Sequence, residues 1–402
     1  MPRKDRRRSA EGFGLKKSEM KTVIVFTSDL FSGGVAESTK KIANLLSRNE
    51  DIRVVLVVYE GLEIKKDISK NVKIERLNFP LVKEYNRGGK LFSVFRLLCL
   101  PLAILKFLYL RVKYRPHVVY SLMYIPNIVN ALTSLFGGKS VVSERQNPRY
   151  DLEGAGVGFK MLLRASYLLA DRVHVNSKGL GQELISDFSV KVGKIFYFPN
   201  FFSFDGLERT HRERKVRDEF VVLLIGRMAK QKGFDFLPGI VAKVPENFVF
   251  RLVTSGDTKE LIKLSRRLGV DSKIDIVPER NDISELYRQS DILLVTSLWE
   301  SFGNVIVEAM SHGLPVVSNK CPTGPIEILE EGRWGGITDV SLAENPESAA
   351  DQLSSYMTRL SEDFDFYRNC SEKSIERAGF YSEDYVVKGL LECIFITEVR
   401  DG

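Results

Sequence analysis

Two loops carry charged side chains just after apolar strand patterns. The first, "GRMAKQKG", places Gly226, Arg227, Lys232 and Gly233 between the apolar run "EFVVLLI" and the next helical pattern. Two cations on one loop at a strand end suit a diphosphate. An arginine forks across two oxygens, and a lysine adds a point charge. The plain alternative is a solvated basic loop. The second, "WESFGNVIVEAMSHGLPVV", sets Glu300 just after the strand pattern "DILLVTSL" and Glu308 about two turns into an apolar helical pattern. Phe302, Gly303 and Asn304 start that helix, whose first N–H groups lack intrahelical acceptors. A carboxylate pair beside a phosphate site can hold sugar and ribose hydroxyls; the alternative for Glu308 is a surface glutamate. A weaker signal is "FSGGV", where Gly33 and Gly34 separate the first strand pattern from its helix. Glycine lets backbone approach a phosphate closely, and a helix N-terminus favours an anion. The dinucleotide fingerprint G-x-G-x-x-G is absent there, which argues against a nicotinamide enzyme.

Such loops need strands to end on. Apolar runs alternate with helical periodicity from "KTVIVFTSDL" to "DRVHVNS", and again from "EFVVLLIGR" to "PVVSNK". Runs of this kind predict parallel sheets covered on both faces, hence an α/β chain of two Rossmann-like, doubly wound domains. A length of 402 residues agrees with two domains. The segments are a basic tail at 1–19, a first domain at 20–200, a charged linker at 201–218, a second domain at 219–382 and a closing helix at 383–402. Ligands of such sheets bind beyond the C-terminal strand ends, in a cleft between the domains.

Composition sets limits. A net charge of +7 favours acidic ligands or an anionic membrane surface without demanding either. The tail "MPRKDRRRSAEGFGLKK" has no apolar core and is not a secretory signal. It reads as disordered, or as a start placed ahead of Met20; a membrane-surface or nucleic-acid arm is the alternative. Nucleic-acid binding otherwise rests on charge alone, with no recognition module. Cys99, Cys321, Cys370 and Cys393 are too scattered for a zinc site or a disulfide framework. The stretch "LFSVFRLLCLPLAILKFLYLRVKYRP" is interrupted by Arg96, Pro101 and Lys106, so it is not a membrane span. It reads as a core helix, or as one that also touches a bilayer. No Asp-x-Asp stands beside the phosphate loops, and "DFD" at Asp363 and Asp365 reads as surface, so no metal is expected.

Other polar residues follow strands in the first half. "SERQNPR" puts Glu144, Arg145 and Asn147 toward the expected cleft, and "HVVYSLMYIPN" offers Ser121 and Asn127. His117 reads as a strand-start residue, His174 as a strand side chain and His312 as structural.

The combination G-R-x4-K-G at Gly226–Gly233 with E-x7-E at Glu300–Glu308 resembles the retaining, family 4 glycosyltransferases of the GT-B fold. Nearly the whole chain from Lys21 fits that plan. "CPTGPIEIL" and "VVSERQNP" resemble the bacterial branch that builds surface polysaccharides, lipopolysaccharide and capsule. The resemblance implies roles. Arg227 and Lys232 would neutralise a donor diphosphate after Gly226. Glu300 would contact the donor sugar near the reacting carbon, and Glu308 the ribose. Amides of Phe302, Gly303, Asn304 and Val305 would cradle phosphate, with Gly33 and Gly34 approaching it from the other domain. The base would pack near Pro278 and Arg280. Asn127, Glu144 and Arg145 would meet the acceptor, although relatives read "SERNDP" where this chain has Gln146 and Asn147. The closing helix would cross back to the first domain.

The implied activity is transfer of a hexose or N-acetylhexosamine from a nucleotide-diphosphate sugar to a lipid-linked or polysaccharide acceptor. UDP is the default nucleotide, the configuration is retained, and neither metal nor cofactor is used. The implied place is the cytoplasmic face of the cytoplasmic membrane, in peripheral contact with anionic lipid. A nucleotide-sugar epimerase and a non-catalytic nucleotide-sugar-binding scaffold are the competing readings. A phosphorylase is disfavoured by length and by the lack of a recognisable cofactor lysine segment.

Overall fold

Aliphatic runs such as "VIVF", "VVLVV" and "VVLLI" can be buried on both faces only inside a helix-covered sheet, and they lie in two such sheets. The computed structural model describes residues 20–30, 33–60, 67–79, 90–202, 219–280 and 283–395. The expected tail at 1–19, linker residues 203–218 and the end of the closing helix at 396–402 lie outside the described residues. The chain forms two compact units, Met1–Val141 and Val142–Gly402.

The first unit holds β1 (Lys21–Thr27), β2 (Ile52–Val58), β3 (Lys73–Arg76), β4 (Val118–Leu122) and the start of β5 (Lys139–Glu144), in the order β3-β2-β1-β4-β5. β1 pairs in parallel with β2 and β4, and β2 with β3. Ile24, Phe26, Val55 and Val57 pack against Ala103, Phe107, Leu110 and Tyr114 of the Lys90–Tyr114 helix. Those four helix positions recur at 4, 3 and 4 residues, one stripe of a helix. The opposite face leaves Leu102, Leu105, Tyr109 and Val112 more than half exposed. The helix therefore has both faces that its sequence left open, one in the core and one apolar toward solvent. Among the described residues, no helix is long and apolar enough to cross a membrane.

The second unit holds the end of β5 with β6 (Arg172–Val175) and β7 (Ile195–Tyr197), in the order β5-β6-β7. It also holds a sheet of β8 (Phe220–Ile225), β9 (Phe248–Thr254), β10 (Ile274–Pro278), β11 (Ile292–Val295), β12 (Val316–Ser318) and β13 (Gly336–Ile337). Its order is β10-β9-β8-β11-β12-β13, with parallel pairing throughout. Phe220, Val222, Leu224, Phe248, Phe250 and Leu252 face one core layer; Leu223, Val253, Leu293 and Val295 face the other.

Some local expectations change. "FDFLPGIVAKV" is not one helix but a 3-10 turn, Phe234–Phe236, and a short helix, Leu237–Val241. Pro245 disfavours helical geometry at Val244, which ends the segment early. Asp363 of "DFD" caps the Phe364–Gly379 helix by accepting from the Phe366 amide at 2.9 Å. Arg172 of β6 donates to the carbonyls of Glu392 and Cys393 at 2.6 and 2.7 Å, near the C-terminal end of the Glu383–Phe395 helix. A cation there complements the helix dipole. All four cysteines are buried free thiols.

Candidate functional site

In a doubly wound sheet the ligand crevice opens where the strand order reverses. In the second unit that point lies between β8 and β11, which pair directly, Ile292 with Val222 and Leu293 with Leu223. The loop after β8 carries Gly226, Arg227 and Lys232, and the segment after β11 carries Ser297 to Asn304. Both sequence motifs therefore reach one crevice.

The loop after β8 is fixed by its backbone. Gly226 N donates to Val253 O at 3.0 Å and Met228 N to Ser255 O at 2.8 Å. Arg227, between these anchors, is exposed and has no side-chain partner among the described residues. Gly233 turns the chain at φ +61, where a Cβ would lie 2.2 Å from Thr296 O. Two further bonds tie this loop to the segment after β11: Thr296 Oγ1 to Lys232 O at 2.7 Å, and Leu298 N to Gln231 O at 2.7 Å. The Lys232 stem crosses Gly226 so closely that a Cβ there would meet its Cε, Cδ and Cγ at 2.9–3.1 Å.

Lys232 Nζ forms an ion pair with Glu300 Oε1, and Ser297 Oγ donates to the same oxygen at 3.0 Å. Both partners are largely buried, at 18 and 13% side-chain exposure. The Glu300 backbone is clamped as well: its N–H donates to Pro322 O, and its carbonyl accepts from Thr323 and Gly324 at 2.7 and 2.9 Å. Burial, and then the Glu300 charge, push the neighbouring Cys321 thiol well above its usual range, so it stays protonated.

The helix expected from Phe302 begins at Asn304 and runs to Ser311. Phe302 is instead a core residue, 3% exposed. Gly303 breaks the chain at φ +97, a left-handed geometry that glycine adopts readily. The first amides of this helix, at Asn304 and Val305, have no intrahelical acceptor. With this start, Glu308 is the fifth helical residue, little more than one turn down rather than two. Tyr287 OH donates to its Oε2 at 3.0 Å. Pro278 and Arg280 are exposed at the end of β10.

In the first unit the order reverses between β1 and β4. Gly33, at φ +94, and Gly34 open the helix after β1. Asn127 lies in the Tyr124–Leu132 helix after β4, fully buried, and accepts from Ser121 Oγ at 2.7 Å. Glu144 and Arg145 are also buried, 0 and 5% exposed. Glu144 accepts from Tyr167 OH at 2.7 Å and from the Arg145 amide at 3.0 Å. Burial pushes its carboxyl up to about 8, against the lowering effect of those donors. Asn147 caps the short Pro148–Asp151 helix.

His174 is a strand side chain, in β6, as its sequence context predicts. It is wholly buried, bonded to Ser143 and Phe198, and held well below its usual range by burial and by Arg145. His117 accepts from the Thr22 amide at 3.1 Å, and His312 stacks on Tyr287.

Several neighbours carried no sequence signal. Trp299 Nε1 donates to Asp151 Oδ1 at 2.9 Å and stacks on Tyr150. Ser177 bonds Thr323 at 2.7 Å, and Glu327 accepts from the amides of Lys178 and Gly179. Ser301 Oγ donates to Arg145 O at 2.5 Å. These bonds join residues more than a hundred positions apart, and no short-range spacing could announce them.

Residues 219–361 match the family model described as Glycosyl transferases group 1. That span contains both motifs. The amylovoran biosynthesis glycosyltransferase AmsD of Erwinia amylovora is 31% identical over 171 residues, 41% of this chain and 48% of that protein. The N-acetylgalactosamine-N,N'-diacetylbacillosaminyl-diphospho-undecaprenol 4-alpha-N-acetylgalactosaminyltransferase of Campylobacter jejuni is 21% identical over 80% of this chain and 87% of its own length. The matches span 43–48% of the first curated relatives. Among solved structures, Anabaena HepE in complex with UDP and glucose aligns over 92% of this chain and 98% of its own, with a TM-score of 0.69 and 19% identity. That likeness concerns the fold.

Proposed function

We propose that this chain, whose residues 219–361 match the family model described as Glycosyl transferases group 1 and whose fold is GT-B, is a retaining glycosyltransferase. Its donor is a nucleotide-diphosphate sugar, with UDP as the nucleotide and a hexose or N-acetylhexosamine as the sugar. Its acceptor is a lipid-linked or polysaccharide glycan. The observation that carries the reading is the Lys232–Glu300 pair, set directly ahead of the Asn304–Ser311 helix.

The chemistry follows from these groups. Breaking a sugar–phosphate bond leaves growing negative charge on the diphosphate. Lys232, held by Glu300, and the amides of Asn304 and Val305 are positive groups fixed in advance for that charge, and such groups lower the barrier most, while the exposed Arg227 on the same loop adds a further cation. Glu300, oriented by Ser297, faces the sugar as its anomeric carbon becomes electron-poor. Glu308, steadied by Tyr287, takes the ribose hydroxyls, and the base lies along Pro278 and Arg280. The acceptor oxygen bonds to the anomeric carbon on the face that the diphosphate leaves, and its proton passes to the departing phosphate oxygen. No covalent enzyme intermediate forms, and the protein's own cations take the place of a metal.

The wider setting has two supports. HepE, which shares the fold, holds UDP and glucose, and the Campylobacter relative is named for a diphospho-undecaprenol acceptor. The exposed stripe Leu102, Leu105, Tyr109 and Val112, with exposed Lys106, Lys113 and Arg115, suits peripheral contact with an anionic membrane on its cytoplasmic face.

The test is product analysis. The protein is incubated with UDP- and GDP-sugars and a bacterial lipid extract, and the new linkage is read by NMR. An α-linked product from an α-linked donor supports the proposal. An inverted product contradicts retention. A donor converted to its epimer without an acceptor contradicts transfer.

A further inference from the structure

A buried polar chain in the second unit ends at the head of the Asn304–Ser311 helix. His174 Nε2–H donates to Phe198 O at 2.9 Å, so His174 Nδ1 accepts from Ser143 Oγ at 2.8 Å. Ser143 Oγ in turn accepts from Arg145 Nε–H at 2.9 Å. The Arg145 guanidinium then donates to Asn200 Oδ1, and Asn200 Nδ2 donates to Asn304 Oδ1 at 2.7 Å. Ser143 and His174 are fully buried, and Arg145 and Asn200 are 5 and 8% exposed.

The direction of this chain is forced. A guanidinium has donors and no acceptor. Asn200 must therefore turn its oxygen to Arg145 and its NH2 to Asn304. Asn304 is consequently held by its oxygen, and its own NH2 has no partner among the described residues. That NH2 belongs to the first helical residue, whose backbone amide is also without an intrahelical acceptor. The Arg145 backbone is pinned to the same turn through Ser301 Oγ.

We propose that Arg145 is a positioning residue for the nucleotide-diphosphate site: through Asn200 it holds Asn304 with its side-chain NH2 free to donate to a phosphate oxygen. The inference rests on the donor reading above and adds to it a side-chain donor and the residues that orient it. Arg145 touches no substrate in this account. Its part is to decide which end of the Asn304 amide meets the anion.

Asn200→Asp separates this role from a merely structural one. Aspartate keeps an oxygen for Arg145 and shows a second oxygen to Asn304. Asn304 must then turn its NH2 inward and its oxygen toward the phosphate. Every bond in the buried chain survives, so the melting temperature stays at or above that of the unaltered protein. Affinity for UDP and GDP, read by titration calorimetry, falls on the order of 10- to 100-fold, the scale of one hydrogen bond to a charged group. Affinity for uridine and guanosine, which lack the diphosphate, does not change. Asn304→Ala gives a similar selective loss, and combining it with Asn200→Asp adds little.

Unaltered UDP and GDP affinity in a stably folded Asn200→Asp protein would overturn the positioning role and leave the donor reading standing. Should Asn200→Asp melt early, Asn304→Ala decides, and unchanged diphosphate affinity there overturns the proposal. If the unaltered protein binds neither UDP nor GDP, the donor reading fails and takes this inference with it.

Discussion

Lys232 and Glu300 pair across 68 positions of sequence, and Ser297 Oγ donates to the same carboxylate oxygen at 3.0 Å. The two charges offset each other in the absence of donor. An arriving diphosphate competes for the lysine, while Ser297 and the clamped backbone keep the glutamate in place. Replacing Lys232 by alanine should lower turnover by about 10²–10³, the usual loss for one charge-stabilising group. Steady-state kinetics with the productive donor would check this. A variant within a factor of about 2 of the unaltered enzyme would remove Lys232 from the transition state, because even one such group is worth far more.

Gly226 and Gly233 bound the same loop and should fail differently. At Gly226 the three atoms nearest an added Cβ all belong to the Lys232 stem, at 2.9–3.1 Å. That side chain can shift, so Gly226→Ala should fold normally and lose turnover by roughly 10- to 100-fold through the displaced ammonium. At Gly233 the Cβ meets the Thr296 carbonyl at 2.2 Å, and φ is +61. Backbone cannot give way so easily, and Gly233→Ala should cost about 1–3 kcal/mol of stability. Urea unfolding beside activity assays separates the two; equal loss of stability in both would contradict the assignment.

The loop motifs were legible because each holds its chemistry within a few residues. Gly226, Arg227 and Lys232 lie on one turn, and Glu300 lies next to the helix that it serves. The sheets were legible because buried parallel strands read as unbroken apolar runs. What escaped is held over long separations. The path from His174 to Asn304 needs five residues from β5, the loop after it, β6 and two later segments, and no periodicity links them. The start of the Asn304–Ser311 helix was misplaced for a different reason: Phe302 fits a helical apolar pattern but is taken by the core, and Gly303 restarts the chain behind it. Burial likewise separates Glu144 from an ordinary surface carboxylate, and a single sequence does not report burial of a lone charged residue.

Glu144 should make stability depend on pH. Burial raises its carboxyl from the usual 4.5 to about 8 in the folded protein. The folded state thus holds the proton more tightly than the unfolded state, so stability is greatest below about 4.5 from this group and is lost as pH rises toward 8. His174 acts in the opposite sense and at lower pH: its folded value lies well below 6.5, so its contribution is lost as pH falls through that region. Above neutrality only the Glu144 effect remains of the two. Melting temperatures between pH 7 and 8 should fall in the unaltered protein and stay flatter in Glu144→Gln, whose amide oxygen still accepts from the Arg145 N–H. Identical slopes would show that Glu144 does not titrate there.

The exposed stripe on the Lys90–Tyr114 helix should act at a lipid surface. Leu105 and Tyr109 are each 62% exposed. Leu105→Glu with Tyr109→Glu adds two negative charges to this apolar face and should weaken co-sedimentation with phosphatidylglycerol vesicles by about tenfold or more. Turnover of a water-soluble acceptor should be unaffected. Undiminished vesicle binding would move the membrane contact elsewhere on the protein.

The most direct test of the whole account is release of nucleoside diphosphate from a panel of UDP- and GDP-sugars, with and without a bacterial membrane-lipid extract. Release from one donor should require the extract and be abolished in Glu300→Gln and Arg227→Ala. Release that persists in both variants, or a donor that binds and never turns over with any extract, would contradict it.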